Sequence, residues 1–236
     1  MNGLVRSCRA IHTYYQPIQE VRSRELFAHE SLARWRTSQG VLMANEVIRF
    51  GLELGISQAL NIHLWEYAVR HSPGNRISIN ASPLDITEQL SDLFTLLEYA
   101  QGTKKVLIIE VAQPPNRNSE QERLSRAIAR LRNAGALVWA TDRSFGVSVP
   151  EHVLALCPDG IKIDCGNPRA RLGDFLESKV QQIHEHNATA IAEKVDSQQS
   201  WQQVRRADFD YVQGFFVGKP TPGTPMQPPL TGGTLA

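Results

Sequence analysis

The sequence has few cysteines, no excess of positive charge and no long apolar run, and each absence excludes a class of protein. Its three cysteines, Cys8, Cys157 and Cys165, are an odd number without metal-site spacing, so we expect a reduced, cytoplasmic protein. The 25 Lys and Arg are balanced by 24 Asp and Glu, which argues against electrostatic binding to a nucleic-acid polymer. No apolar run is long enough for a membrane span, and the first twenty residues lack the apolar segment of a signal peptide.

The composition indicates one sizeable folded domain followed by a tail. Hydrophobic residues make up 42% of the 236 residues, enough for a buried core without disulfides or metal ions. From Lys219 onward the sequence holds five of the thirteen prolines and almost no core-forming residues. We therefore predict a lead-in over 1–10, a domain over 11–219 and a disordered or extended tail over 220–236.

Short apolar segments alternate with helical patterns throughout the predicted domain. Strands are predicted at 11–18, 25–33, 76–81, 105–111, 136–141, 160–164, 188–193 and 209–214. Helices are predicted at 44–55, 57–71, 86–101, 118–134, 150–156, 168–187 and 197–207. This alternation implies an α/β fold with a parallel sheet, and seven or eight strands in a domain of this size favour a closed barrel.

A polar or ionisable residue ends nearly every predicted strand. These residues are Glu30, Asn80, Glu110, Thr141–Asp142, Lys162, Glu193 and Gln213. A single residue of this kind is usually a turn former or a helix cap. Seven together indicate a functional site, because the carboxyl ends of barrel strands meet on the face that carries catalytic groups.

The residue types at these strand ends favour metal-dependent chemistry on a phosphate ester. Carboxylates and the Asn80 amide are hard oxygen donors, which suit Mg²⁺ or Mn²⁺ better than zinc. Lys162 lies between Ile161 and Ile163, so we expect it to point into the barrel toward the acids. Arg34 follows Glu30 and suits a phosphate, which favours two-metal hydrolysis. A barrel lyase that uses Lys162 as a Schiff-base amine is a rival hypothesis.

Segments along the whole domain resemble the EAL domain family of cyclic di-GMP phosphodiesterases in order and spacing. They are YQPI (15–18), ESLARWR (30–36), INAS (79–82), IIEVAQ (108–113), IKID (161–164), AEKVD (192–196) and DYVQGFFVGKP (210–220). The resemblance implies a modified (β/α)8 TIM-like barrel, usually dimeric. It also implies cleavage of cyclic di-GMP to a linear dinucleotide with two Mg²⁺ or Mn²⁺ ions.

The resemblance carries specific roles onto residues of this chain. The metal ligands that it implies are Glu30, Asn80, Glu110, Asp142 and Glu193. The residues that it implies for activating the attacking water are Lys162 and Glu193. The residues that it implies beside the bound nucleotide are Gln16, Arg34 and Gln213.

The chain departs from the family pattern at the end of the strand that follows Glu110. The family carries D-D-F-G-T-G, whose first Asp bridges both metals, whereas this chain reads TDRSFG from residue 141. Counting from Lys162 places Thr141 at the bridging position, and a register shift would place Asp142 there instead. Either way one acid is missing. Because two divalent cations repel unless an anion lies between them, we expect weak or absent hydrolysis.

Two functional hypotheses follow from the resemblance. The first is a degenerate EAL protein that acts by binding cyclic di-GMP or a protein partner, with a homodimer expected from the family. The second is an active phosphodiesterase with Asp142 in the bridging position.

Overall fold

The computed structural model describes residues 11–37, 40–42, 44–112, 114–115, 118–142, 148–166 and 174–223. Its strands are β1 (Ile11–Glu20), β2 (Leu26–Thr37), β3 (Gly40–Leu42), β4 (Arg76–Ala81), β5 (Val106–Val111), β6 (Leu137–Asp142), β7 (Gly160–Asp164), β8 (Thr189–Glu193), β9 (Tyr211–Val212) and β10 (Thr221–Pro222). Its helices are α1 (Ala44–Glu53), α2 (Ser57–His71), α3 (Pro83–Glu88), α4 (Leu90–Gly102), α5 (Asn118–Asn133), α6 (Glu151–Leu154), α7 (Asp174–Glu185) and α8 (Gln198–Arg206).

Among the described residues, eight strands close into a barrel, which confirms the predicted α/β barrel in a single domain. The ring runs β1-β9-β8-β7-β6-β5-β4-β2 and closes because β1 also pairs with β2. All neighbours from β2 round to β9 are parallel, but β1 is antiparallel to both β2 and β9. The expectation of an entirely parallel sheet is therefore wrong for β1. Its connection to β2 spans residues 21–25, too short for the crossover that parallel strands require.

Most element boundaries agree closely with the sequence prediction, and β4, β7 and α2 agree residue for residue. The helix predicted at 86–101 consists instead of α3 and α4. Ser82 forms a capping box with Asp85 and precedes Pro83, so a helix begins earlier than its apolar pattern indicates. The helix predicted at 168–187 is described from Asp174, and residues 167–173 lie outside the described part of the chain.

The sheet continues beyond the predicted end of the domain at residue 219. Thr221 pairs with Tyr15 and Pro222 with Tyr14 in an antiparallel ladder along β1. A disordered or extended tail is predicted from residue 220; Thr221 and Pro222 are extended but belong to the sheet, because proline is compatible with an edge strand. Residues 1–10 and 224–236 lie outside the described residues, and their assignment as lead-in and tail stays a prediction.

Side chains alternate between the interior of the barrel and the surrounding helices, and this alternation positions the functional groups. The interior is packed by Ile18, Ala28, Ile108, Trp139 and Ile191. Trp139 fits because its neighbour in the register is Gly160, where a Cβ would lie 2.8 Å from the indole. On β6, Val138 and Ala140 point the other way and pack against the helical layer. Residue 141 therefore points inward, above the Trp139 layer.

In the part of the chain that the structure describes, no helix combines the length and the apolar character needed to cross a bilayer. Buried apolar side chains lie between the sheet and the helices instead. One cluster packs β4 to β6 against α2, α4 and α5. A second packs β7 and β8 against α7 and α8.

Candidate functional site

Polar side chains converge at the carboxyl end of the barrel, as the strand-end pattern predicts. Register pairs place Asn80 beside Glu110, Thr141 beside Lys162, and Gln16 beside Glu30. Paired residues of neighbouring strands project to the same side of a sheet, so these side chains share the barrel interior. Asn80 is exposed at the rim, whereas Glu30, Glu110 and Lys162 are buried beneath it.

Lys162 is the cation at the centre of this group. Its side chain is 0% exposed, and its Nζ donates to Glu30 Oε2 at 2.9 Å and to Glu110 Oε2 at 2.6 Å. Burial alone would lower the pKa of Lys162, but the Glu110 and Glu30 carboxylates outweigh it and raise that pKa. The lysine therefore stays protonated. This state argues against the Schiff-base hypothesis, because such a nucleophile needs a neutral amine.

Glu30 and Glu110 share this ammonium but differ in their other partners. Glu30 accepts hydrogen bonds from Asn80 Nδ2 at 2.8 Å and Gln213 Nε2 at 2.6 Å. Burial raises the pKa of Glu30, but Lys162 and these two amides overcome burial and lower it. For Glu110, burial dominates over the attraction of Lys162 and raises the pKa to about 7, with repulsion from Glu30 adding to the shift. One ammonium cannot neutralise both carboxylates, so Glu110 is the one that takes up a proton.

Glu193 lies half-buried at the end of β8, near the same charges. Burial raises the pKa of Glu193, while Lys162 opposes the shift and Glu30 reinforces it. Glu193 is therefore within electrostatic reach of both Lys162 and Glu30, and its role as a metal ligand stays a prediction. Its register partner Asp164 forms an ion pair with the exposed Lys194.

The structure brings Thr141, and not Asp142, to the other predicted ligands. Thr141 Oγ1 donates to Glu110 Oε1 at 3.2 Å inside the barrel. Asp142 points to the opposite face of the sheet, where its Oδ2 lies 2.6 Å from Lys179 Nζ of α7. Successive residues of a strand project to opposite faces, so both side chains cannot enter the barrel while β6 stays regular. The alternative register, with Asp142 in the bridging position, is not the one that β6 adopts.

Gln16 and Gln213 stand behind Glu30 and connect it to the segment after β9. Gln213 Nε2 also donates to Gln16 Oε1 at 3.1 Å, and Gln16 Nε2 donates to the carbonyl of Gly218 at 3.0 Å. Both side chains are buried. In this structure the two residues support Glu30, and their predicted contact with a nucleotide stays a prediction.

Arg34 lies four residues beyond Glu30 on the same face of β2, and its contact with a phosphate stays a prediction. Its Nη1 donates to the Ala33 carbonyl at 2.8 Å, and its guanidinium lies 5.9 Å from the centre of the Tyr14 ring. Burial lowers the pKa of Arg34, but a guanidinium remains charged at any ordinary pH.

The structure gathers few oxygen donors at the carboxyl end of the barrel. Within the described residues, no three His, Cys, Asp or Glu side chains are close enough to hold a metal ion. The oxygen donors at the carboxyl end of the barrel are Glu30, Glu110 and the Asn80 amide, and they are of the kind that Mg²⁺ and Mn²⁺ accept. The structure turns the carboxylate of Asp142 away from this set.

Lys179 contacts the predicted site residue Asp142, but none of the family motifs contains it. Its signal in the sequence is a lysine at helical spacing from Leu176, Val180 and Ile183, which form the buried face of α7. A lysine in the middle of an apolar stripe indicates a buried acidic partner. The identity of that partner depends on the fold, because Asp142 is 37 residues away.

Known proteins resemble this chain over nearly its whole length. The PaMucR phosphodiesterase, solved with c-di-GMP, superposes with a TM-score of 0.78 at 21% identity, covering 94% of this chain and 96% of that one. YkuI of Bacillus subtilis, solved with c-di-GMP and calcium, superposes with a TM-score of 0.77 at 17% identity, covering 94% of this chain and 58% of that one.

A curated relative and a family model give the sequence-level result. PdeI of Escherichia coli K12, named a probable cyclic di-GMP phosphodiesterase, is 24% identical over 225 residues, or 88% of this chain and 28% of PdeI. The chain thus spans less than a third of the length of the curated relatives it matches. The family model described as EAL domain matches residues 4–220. The chain therefore belongs to the EAL domain family.

Proposed function

We propose that this domain binds cyclic di-GMP at the carboxyl end of its barrel and hydrolyses it slowly or not at all. The observation that carries the proposal is the hydroxyl of Thr141 beside Glu110, where the family pattern has a bridging carboxylate. The neighbouring Asp142 does not compensate, because it pairs with Lys179 on the other face of β6.

The choice of ligand rests on relatives and on the chemistry of the site. PdeI is named as acting on cyclic di-GMP, and PaMucR and YkuI were solved with it. In this chain Arg34 supplies a permanently charged guanidinium on the same strand face as Glu30. Gln16 and Gln213 hold the wall of the site through their contacts with Gly218 and Glu30.

We propose Glu30, Asn80 and Glu110 as the residues that hold a Mg²⁺ or Mn²⁺ ion, with Glu193 at the edge of the site. Bound there, such an ion would offset the charge of the phosphodiester. Lys162 already contacts Glu30 and Glu110, so part of their charge is compensated within the protein. A second ion would lack the acid that the family places at position 141.

The electrostatic cost of the missing acid is large compared with ordinary binding energies. Two divalent cations about 4 Å apart repel by about 17 kcal/mol at an effective dielectric constant of about 20. A carboxylate between them offsets much of this repulsion, whereas a neutral hydroxyl does not. We therefore expect the two-ion state to be poorly populated, and hydrolysis that depends on it to be slow.

An active phosphodiesterase is the second candidate function. It is favoured by the retained network of Glu30, Asn80, Glu110, Lys162 and Gln213, which holds acids, amides and lysine together as the family pattern requires. A third candidate is an adaptor that binds a protein partner or forms a homodimer in the cytoplasm. Absence of cyclic di-GMP binding would favour this adaptor function.

Calorimetric titration with cyclic di-GMP, in EDTA and again in Mg²⁺, tests the proposal, and chromatography of each mixture measures the linear dinucleotide. We expect saturable binding in both buffers with little product. Glu30→Ala should weaken binding, whereas Arg126→Ala on the outer surface should not. Rapid formation of linear dinucleotide that Glu30→Ala abolishes would establish the active enzyme instead. Absence of binding in both buffers would leave the adaptor.

A further inference from the structure

The ladder between β2 and β4 ends before β4 reaches the rim of the barrel. Among the described residues, the last register pair of these two strands is Glu30 with Ser78. β4 continues to Ala81, and its ladder with β5 runs to that end. The carboxyl end of β4 is therefore held by a neighbouring strand on the β5 side alone.

Side chains supply hydrogen bonds on the other side of this strand end. Carbonyl groups point alternately to the two neighbours of a strand, and the Ala81 carbonyl accepts a backbone hydrogen bond at 3.1 Å on the β5 side. The Ser78 carbonyl, directed toward β2, accepts from Ser31 Oγ at 2.9 Å. The Asn80 carbonyl accepts from Trp65 Nε1 of α2 at 3.0 Å. A helix thus provides the bond that β2 does not make with Asn80.

The indole of Trp65 has a fixed place from which to hold this carbonyl. Trp65 is 5% exposed and packs in the apolar cluster that also contains Ile79 and Ile86. A buried indole N–H requires an acceptor, which here is the Asn80 carbonyl. Asn80 itself is exposed at the rim, so burial does not fix its position.

The side chain of Asn80 crosses the same gap on the inner face of the barrel. Its Nδ2 donates to Glu30 Oε1 at 2.8 Å, which joins β4 to β2 beyond their last register pair. The alternation of β4 directs the Asn80 side chain inward, whereas the bond from Trp65 sets how far the Asn80 backbone lies from β2. The separation of Asn80 from Glu30 therefore depends on the indole.

We propose that Trp65 is a positioning residue of the site, which holds Asn80 beside Glu30 from the outer layer of the barrel. It rests on the proposed function in one respect, namely that Glu30 and Asn80 hold the same divalent ion. A ligand loses affinity for a metal ion when the group that orients it is removed. Loss of the indole N–H should therefore weaken ion binding through Asn80, although Trp65 does not contact the ion.

Titration of the metal-free protein with Mn²⁺, followed by electron paramagnetic resonance, tests this role in a double-mutant cycle. The proteins are the wild type, Trp65→Phe, Asn80→Ala, the double variant of these two, and Ser31→Ala. Trp65→Phe keeps an aromatic ring without the donor, and it should weaken Mn²⁺ binding by roughly tenfold or more. The double variant should bind Mn²⁺ as Asn80→Ala does, because Trp65 acts through Asn80.

Ser31→Ala is the matched control for a general loss of structure. It removes a side-chain hydrogen bond to the same strand end, but the bond goes to Ser78 and not to Asn80. Ser31→Ala and Trp65→Phe should both unfold at a lower urea concentration than the wild type. Ser31→Ala should nevertheless keep the Mn²⁺ affinity of the wild type. If Trp65→Phe does not fold, Trp65→Met replaces it, since its flexible apolar side chain adapts to core gaps and has no donor.

Nuclear magnetic resonance of the metal-free protein provides a readout that needs no ion. The order parameter of the Asn80 side-chain amide should fall in Trp65→Phe and stay at the wild-type value in Ser31→Ala. An unchanged order parameter in Trp65→Phe would overturn the proposal, as would an equal loss of Mn²⁺ affinity with and without Asn80. Absence of Mn²⁺ binding by the wild type would instead refute the proposed ion site, and the order parameters would still decide the role of Trp65.

Discussion

Replacing Glu110 with glutamine should remove a specific part of the pH dependence of the domain's stability. Burial is the main reason that the pKa of Glu110 is raised from 4.5 to about 7. The folded protein therefore holds a proton on Glu110 that the unfolded chain has already lost between these two pH values. Stability from this group is complete below about pH 4.5 and declines as the pH rises through about 7.

The magnitude follows from the size of the shift. One unit of pKa corresponds to about 1.4 kcal/mol, so Glu110 should cost the folded state about 3 kcal/mol at pH 8 relative to pH 4.5. Glutamine does not titrate, and its amide fits the site. Its oxygen can accept from Lys162, and its NH₂ can donate to the Thr141 hydroxyl.

Urea denaturation measures the contribution of Glu110 to the free energy of unfolding. The wild type and Glu110→Gln are each unfolded in EDTA at several pH values between about 5 and 8. Comparing the two proteins cancels the other titrating groups, such as His29, whose pKa is lowered by burial in both. The stability of the wild type relative to the variant should fall by up to about 3 kcal/mol over this range. Parallel profiles would refute the reasoning, because they would mean that Lys162 keeps Glu110 ionised throughout.

Three further predictions concern the framework that holds the site. Gly214→Ala should destabilise the domain by about 2–3 kcal/mol in urea denaturation, because a Cβ there would lie 2.2 Å from the Val195 backbone. The control Gly102→Ala should not destabilise it, because the space around Gly102 is open. Tyr15→Phe should cost about 1 kcal/mol by the same assay, because the buried hydroxyl donates to the Ala68 carbonyl at 3.1 Å. In a Cys8→Ser background, a thiol reagent should label the exposed Cys157 in the native protein but Cys165 only after unfolding, because Cys165 is buried and burial raises its pKa. Equal labelling rates of the two cysteines in the native protein would contradict the buried position of Cys165.

The barrel and its inner ring of polar residues could be predicted from the sequence because each depends on local pattern. The β4 and β7 segments are short, contain two isoleucines each and have a polar residue at or next to the carboxyl end. Their boundaries and the inward direction of Lys162 therefore follow from strand alternation. The direction of β1 could also be inferred in principle, since its connection to β2 is too short for a crossover.

The orientation of Asp142 was beyond the sequence pattern. A shift of one residue in strand register moves every side chain to the other face of the sheet, and the sequence of Thr141 and Asp142 is compatible with either register. The register is decided by the packing of β6, which places Trp139 inside the barrel and Ala140 against the helices, so Asp142 lies outside, next to Lys179 of α7. The edge strand β10 was missed for a similar reason, because proline-rich composition indicates a tail unless a partner strand is present.

The central claim is that the acid missing at position 141 limits hydrolysis. It is tested most directly by comparing the rates at which the wild type and Thr141→Asp hydrolyse cyclic di-GMP in Mn²⁺. Thr141→Ser serves as the matched control, since it keeps a neutral hydroxyl beside Glu110. We expect slow turnover in the wild type and the control, and a gain of roughly tenfold or more in the aspartate variant, the scale of about 1.4 kcal/mol in the barrier. Equal rates in all three proteins would contradict the claim that the acid missing at position 141 limits the chemistry.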